Sequence, residues 1–421
     1  MHALRAAAAG RTASPSTARL INDRIALQLL QSEGPLTAGQ LTSLTGLSRP
    51  TVADLVDRLQ TAGLIAVVGE SGAQRRGPNA KLYGIVADRA HLVGLDLRAH
   101  SVTVAVADLL GRVRAERAVP IGPDDPPGRA VATALAALDT ALDAAGAGRP
   151  HAIAVGAPGL VDPATGRFGG TDWIPAWHAA LVGALQDRTA APVLLENEVN
   201  LAALAEQRDG AATDRDTFVL LWLGHGTGAA VVLDGRLRRG ASGGTGEIGF
   251  LPVPGTDGLP TAGGCDGGFH SLAGSAAICA LAAVHGLRPG APAPGAAPDA
   301  GADVDTDTDT DADAPPAESV VRAAVAAGAG GDAFLDALAA RIALGVAAVC
   351  AVLDPGCVVL GGEIGRSGGD PLATRVAGHL ARISPLSTEV RAGTVGGRAV
   401  LHGAVLAATD AAQNELFAPA R

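Results

Sequence analysis

Ser48, Arg49 and Thr51 stand at the start of a run in which Val52, Leu55, Val56 and Leu59 recur at helical spacing. An arginine at the N-terminal end of such a helix offers the bidentate fork that reads guanine, and Ser48 and Thr51 suit phosphate or base-edge contacts. Arg58 lies on the same polar face, and Pro50 falls in the first turn, where a missing N–H costs little. Thr37 is a good N-cap for a preceding helix that runs to about Thr45, with Leu41 and Leu44 on its apolar side. Gly46 permits the tight turn between the two helices. This is the pattern of a helix-turn-helix, whose second helix meets base edges in a major groove. Leu20, Ile21, Ile25, Leu27, Leu29 and Leu30 supply a first packing helix upstream. Residues 64–68 read as a strand, a polar loop carries Arg75 and Arg76, and residues 81–85, starting at Lys81, read as a return strand. The whole is a winged helix over residues 17–86 with two arginines at the wing tip.

Charge separates this head from the rest. Residues 1–85 hold nine Lys and Arg against five Asp and Glu, a net of +4, while the whole chain is −10, leaving −14 for residues 86–421. A basic head on an acidic body fits phosphate contact through the head alone. A small helical domain with an arginine-bearing loop and no role with DNA is the competing reading.

The 421 residues suffice for two or three domains. Apolar residues make up 48% but aromatics only 2%, so the core must be built from Leu, Val, Ile and Ala. No apolar run of about 18 residues is apparent, so no membrane span is expected. The first residues lack the long leucine-rich stretch of a signal peptide, and Cys265, Cys279, Cys350 and Cys357 have no close-paired spacing. A reduced, cytoplasmic protein is expected. Residues 1–16 are expected to be disordered, as is the Pro, Ala and Asp-rich insert 289–316, whose alternating aspartates lack the glycine and glutamate of a calcium loop.

In the body, strands separated by helices and joined in pairs by turns indicate a mixed α/β sheet that occurs twice. Glycine-rich turns follow several strands. Gly156-Ala157-Pro158-Gly159 closes one strand, Glu196-Asn197-Glu198-Val199-Asn200 closes another, and Gly224-His225-Gly226-Thr227-Gly228 follows a third. Asp172, Trp173 and Trp177 lie in a loop between them, where a Trp face serves either to stack on a ring or to fill a core.

Taken in order, GAPG, ENEVNLAALAE, LGHGTGAAVVLDGRLRRGASGGTGEIG and DPGCVVLGG resemble the ROK family of sugar kinases and transcription repressors, over residues 17–415 apart from the acidic insert. The resemblance implies an actin-like, two-lobed α/β sugar-kinase fold over residues 87–421, with lobes of about 87–200 and 201–421. The ligand cleft would lie between them, behind the N-terminal winged helix-turn-helix. Carried onto this chain, the family's sugar pocket implies Asn197 and Glu247, with Gly159, Asp172, Glu198 and Ser271 beside them. Glu198 stands where the family kinases carry a catalytic Asp. The kinases' DxGGT phosphate turn corresponds to Asp96-Leu97-Arg98-Ala99-His100, which has lost both glycines. The family's CxCGxxGCxE zinc motif corresponds to residues 262–271, where Cys265 alone remains, out of register, and Ser271 takes the glutamate's place. Neither ATP nor zinc is therefore expected as a cofactor.

These features imply a regulator, a repressor of carbohydrate-linked genes, binding a double-stranded DNA operator as a homodimer or homotetramer and a carbohydrate effector in its cleft. A sugar kinase with a DNA-binding head, and a regulator whose body serves only as a dimerisation scaffold, are the alternatives.

Overall fold

The structure, a computed structural model, describes residues 15–71, 80–169, 174–261, 263–288 and 313–417. The head begins with α1 (Pro15–Ser32), two residues earlier than the sequence boundary. It continues through β1 (Leu36–Thr37), α2 (Ala38–Thr45), α3 (Arg49–Thr61), β2 (Ile65–Ser71) and β3 (Ala80–Ile85), with the three strands in the order β1-β3-β2. Thr37 caps α2 in a reciprocal box with Gln40, and Gly46 ends that helix at a φ of 70°. Ser48 caps α3 by accepting the Thr51 N–H at 3.3 Å. Leu27, Leu41, Leu55 and Leu59 close the core beneath.

The body contains two five-stranded sheets of the same topology. The first is built from β4 (His91–Leu97), β5 (Ser101–Asp108), β6 (Val113–Pro120), β7 (Ala152–Ala157) and, after the short pair β8 (Val161–Asp162) and β9 (Arg167–Phe168), β10 (Val193–Asn197). Its order is β10-β7-β4-β5-β6, with β4, β7 and β10 parallel and β4, β5 and β6 antiparallel. The second is built from β11 (Phe218–Leu223), β12 (Thr227–Leu233), β13 (Arg236–Arg238), β14 (Cys357–Gly361) and β15 (Glu389–Ala392), in the order β13-β12-β11-β14-β15. Helices α4 (Pro127–Ala144) and α5 (Ala176–Arg188) cover the outer face of the first sheet. Helix α6 (Glu198–Asp209) follows β10 and packs on β11 and β12. Helices α7 (His270–Ala273), α8 (Ser275–Val284), α9 (Pro316–Ala326), α10 (Asp332–Leu353) and α11 (Gly362–Ile383) build the outer side of the second sheet. The last helix, α12 (Ala399–Leu416), packs on β4 and β7 and along α6.

Both faces of the central strands are buried. On β11, Phe218, Leu220 and Trp222 face the layer between the sheets, and Val219, Leu221 and Leu223 face the outer helices, as the two-residue period of a strand requires. The expected lobe boundary needs correction for this reason. The second lobe does not run to residue 421, because β4 and β7 expose an apolar face that α12 returns to cover.

Two other expectations change. The insert 289–316 is ordered at its end, because Asp313 is buried and Pro316 opens α9; residues 289–312 lie outside the described residues, as do residues 1–14. Helix α10 is long and apolar enough to cross a membrane by length and composition, contrary to the sequence reading. Here its Phe334, Leu335, Leu338, Ile342 and Val346 are buried with α9 and α11 in the outer core.

The α6–α12 crossing is close enough to exclude a β-carbon. One added at Gly403 would overlap the Leu201 carbonyl oxygen. Gly403→Ala is therefore expected to destabilise the fold by about 1–3 kcal/mol, since backbone and not a flexible side chain must yield. Urea denaturation followed by circular dichroism measures this, and an unchanged midpoint would contradict the crossing.

Candidate functional site

A cleft of about 610 Å³ opens between the two sheets. The C-terminal end of β10 delivers Asn197 and Glu198 to it. Asn197 caps α6, its Oδ1 accepting the N–H of Val199 at 2.8 Å and its Nδ2 donating to the Gly159 carbonyl at 2.9 Å. This ties two of the expected ligand residues, Gly159 and Asn197, into one wall. Glu247 reaches the opposite side from a glycine-rich loop. Gly246, at a φ of 91°, lies so near the Ala229 carbonyl that any side chain there would overlap it, and this contact holds the Glu247 backbone against β12.

Arg98 crosses the cleft. Its Nε donates to Asp96 Oδ2 at 3.3 Å within the first lobe, and its Nη1 donates to Glu363 Oε1 at 2.8 Å at the start of α11 in the second. The Arg98 carbonyl accepts from Nε2 of His178, a buried ring on α5. Burial holds that ring's pKa down near 4, so it is neutral and serves to fix the loop. Glu198 is half-buried beside this pair. Desolvation first, then the charges of Glu363 and Asp96, push its carboxyl up to about 8, against a smaller opposing pull from Arg98. At neutral pH it is mostly protonated, and a neutral carboxyl can both donate to and accept from a ligand hydroxyl. Desolvation also raises Glu247 above the usual carboxylate range.

Gly159, Asn197, Glu198 and Glu247 therefore line one cavity. Ser271 does not. It sits on α7, and its hydroxyl accepts the Gly267 N–H at 2.8 Å, closing a local loop instead of facing ligand. Asp172 and Trp173 lie outside the described residues. Trp177 packs in the core against His178, which decides that residue for packing. Glu363, His225 and Asp313 also line the cleft and were missed. Their only sequence signals were a glycine-flanked carboxylate, a histidine in a turn and the last aspartate of a low-complexity run. Among the described residues no group of three or more His, Cys, Asp and Glu could hold a metal ion.

In the head, Ser48, Arg49 and Pro50 are exposed at the start of α3, with the Ser48 hydroxyl 2.8 Å from that of the half-buried Thr51. Lys81 is exposed on β3, opposite Glu70. Two of the expected DNA contacts are otherwise engaged. Thr37 is buried as the cap of α2, and Arg58 turns back to Asp23 on α1, with Nη2 2.6 Å from Oδ1. Arg75 and Arg76 lie outside the described residues.

Residues 92–411 match the ROK family. The chain belongs to the ROK family. Residues 22–77 match the MarR family. The chain is 28% identical over 235 residues to the "DNA-binding transcriptional dual regulator NagC" of Escherichia coli (strain K12), a match that spans 55% of this chain and 57% of that protein's length. It is 26% identical over 299 residues to a "Glucokinase" of Halalkalibacterium halodurans, covering 68% of this chain and 84% of the kinase. In fold it is similar to a "ROK family transcriptional regulator, homolog of E.coli MLC protein", with a TM-score of 0.71 at 23% identity, covering 95% of this chain and 98% of that one. The fold is thus a winged helix followed by the two-lobed sugar-kinase architecture of ROK proteins. Relatives of the ROK body include both repressors and kinases.

The raised pKa of Glu198 has a measurable sign. A carboxyl whose folded pKa of about 8 lies above its ordinary 4.5 contributes stability that is fully present below pH 4.5 and lost as pH rises through 8. Glu198→Gln, neutral throughout, is expected to gain in melting temperature relative to wild type by about 2–4 °C more at pH 9 than at pH 5. Equal differences at the two pH values would mean that Glu198 is not held protonated.

Proposed function

We propose that this ROK protein is a cytoplasmic, sugar-responsive transcriptional repressor whose head binds operator DNA and whose cleft binds a carbohydrate effector. The observation that carries the reading is the exposed polar start of α3, Ser48-Arg49-Pro50, capped and ordered on a basic winged helix that leads directly into a ROK body. The match of the head to the MarR family and the likeness to a DNA-binding regulator and to xylose repressors support it. Two heads are needed to meet successive major-groove faces, so a homodimer or homotetramer on a palindromic site is the assembly this function calls for.

The cleft and the head are joined by packed helices. Ligand contacts at Asn197 and Glu198 act on the first turn of α6, α6 packs along α12, and Asn414 of α12 accepts a hydrogen bond from Arg24 Nη2 on α1 at 2.8 Å. A ligand that favours one arrangement of α6 and α12 would bias the head through this contact.

Phosphoryl transfer is not part of the proposed function. The loop after β4 carries Arg98, Ala99 and His100, and Arg98 fills it by pairing with Asp96 and Glu363. Zinc and ATP are likewise not proposed as cofactors.

Gel shift on the DNA upstream of the protein's own gene tests the core of the proposal. Sequence-preferring binding is expected at physiological salt, and Arg49→Ala should weaken it by about 1–3 kcal/mol. Binding equal to that on random DNA would defeat the reading. Coupled ATP turnover over a sugar panel should stay at background. Asn414→Ala should leave DNA affinity without ligand near wild type and reduce the ligand's effect on it, read from the same gel shift with and without sugar.

A further inference from the structure

A second tie crosses the cleft beside the Arg98–Glu363 pair. Asp313 stands just upstream of α9 in the second lobe, separated from it by Ala314 and Pro315, and is 7% exposed. Its Oδ1 accepts the backbone N–H of His100 at 2.9 Å, and its Oδ2 accepts the hydroxyl of Ser101 at 2.6 Å. His100 lies in the β4–β5 turn of the first lobe, and Ser101 opens β5. The Asp313 carbonyl oxygen accepts from His225 Nε2 at 2.8 Å, in the β11–β12 turn. The carboxylate is placed firmly, since Pro315 and Pro316 lead into α9, whose Ala317 N–H bonds the Ser275 hydroxyl at 3.3 Å.

A carboxylate held by a main-chain N–H and a hydroxyl at a tight turn sits as any oxyanion does in a site made for one. A phosphate oxygen would need the same two donors. Asp313 is tethered in place, so a free anion must compete with a very high local concentration of carboxylate. Arg98, the arginine in the cleft wall, is already shared between Asp96 and Glu363. Glu363 and Asp313 both line the cavity, and carboxylates there disfavour an incoming anion.

We propose that Asp313 is a built-in anion filling the anion-receiving position of the cleft, so that the cleft selects uncharged polyhydroxy ligands and turns away their phosphate esters. The choice of ligand class rests on the cleft being a carbohydrate site; the occupancy of the turn by Asp313 does not. The two parts fail separately in one experiment. Full-length wild type, Asp313→Ser and Asp313→Ala are compared by calorimetry and thermal shift, with inorganic phosphate against chloride at matched ionic strength, and with xylose and glucose against glucose 6-phosphate. Wild type is expected to ignore phosphate and to favour an uncharged sugar over the phosphate ester. Asp313→Ser is expected to gain saturable phosphate binding and to lose roughly tenfold of that discrimination. Asp313→Ala also empties the position and decides the matter where the serine variant does not fold. Folded variants that gain no phosphate binding, or a wild type that takes phosphate or glucose 6-phosphate as readily as glucose, overturn the proposal. If no sugar binds wild type, the carbohydrate reading of the cleft and the choice of ligand class fall together, and the phosphate arm still decides what Asp313 does.

Discussion

The arrangement depends on α12 lying along α6 between the two sheets. The constraint is steric. Leu201, Ala202 and Ala203 of α6 meet Val400, Ala404 and Ala408 of α12 in one core, and Gly403 lets the α12 backbone approach the Leu201 carbonyl. A chain with 2% aromatic residues cannot fill a wide interlayer gap, so it brings its layers close with small side chains instead. The same contact gives the molecule its continuity. The N-terminus of α6 is a wall of the cleft, and the far end of α12 touches the head. Between them lies close-packed apolar structure, and packed layers of that kind resist gradual deformation.

Electrostatics inside the cleft follow from crowding. Asp96, Glu198 and Glu363 gather around one arginine. Arg98 pairs with two of them, and Glu198, the least compensated, is relieved by holding its proton. His178 contributes as a neutral ring that fixes the Arg98 carbonyl, its charged form being disfavoured by burial. The result is a pocket whose wall offers both hydrogen-bond donors and acceptors.

Much of this was legible in the chain. The caps at Thr37 and Ser48, the turn at Gly46 and the apolar stripe of α3 are local, because a cap and its partner lie within three residues of each other. The doubled sheet was legible for the same kind of reason, since strand alternation and glycine-rich turns are properties of short windows. Asn197 and Glu198 were reached through the resemblance to the family, and their place at a strand end agrees with it, since in such folds strand ends border the crevice. The wing arginines and the Asp172 loop fall outside the described residues and stand as they did.

The sequence by itself determined the head and the two sheets, and its resemblance to the family pointed to Gly159, Asn197, Glu198 and Glu247, which line one cavity. Only the tertiary structure decided what faces them. Glu363 lies 265 residues from Arg98, and Asp313 lies 213 from His100, so no local pattern could join them. Tertiary packing also withdrew Arg58 into an ion pair with Asp23, kept Ser271 in its own loop and sent α12 back across the first sheet. In each case the deciding contact is long-range or depends on which face a neighbouring element covers. Sequence periodicity shows that a face is buried but not what buries it.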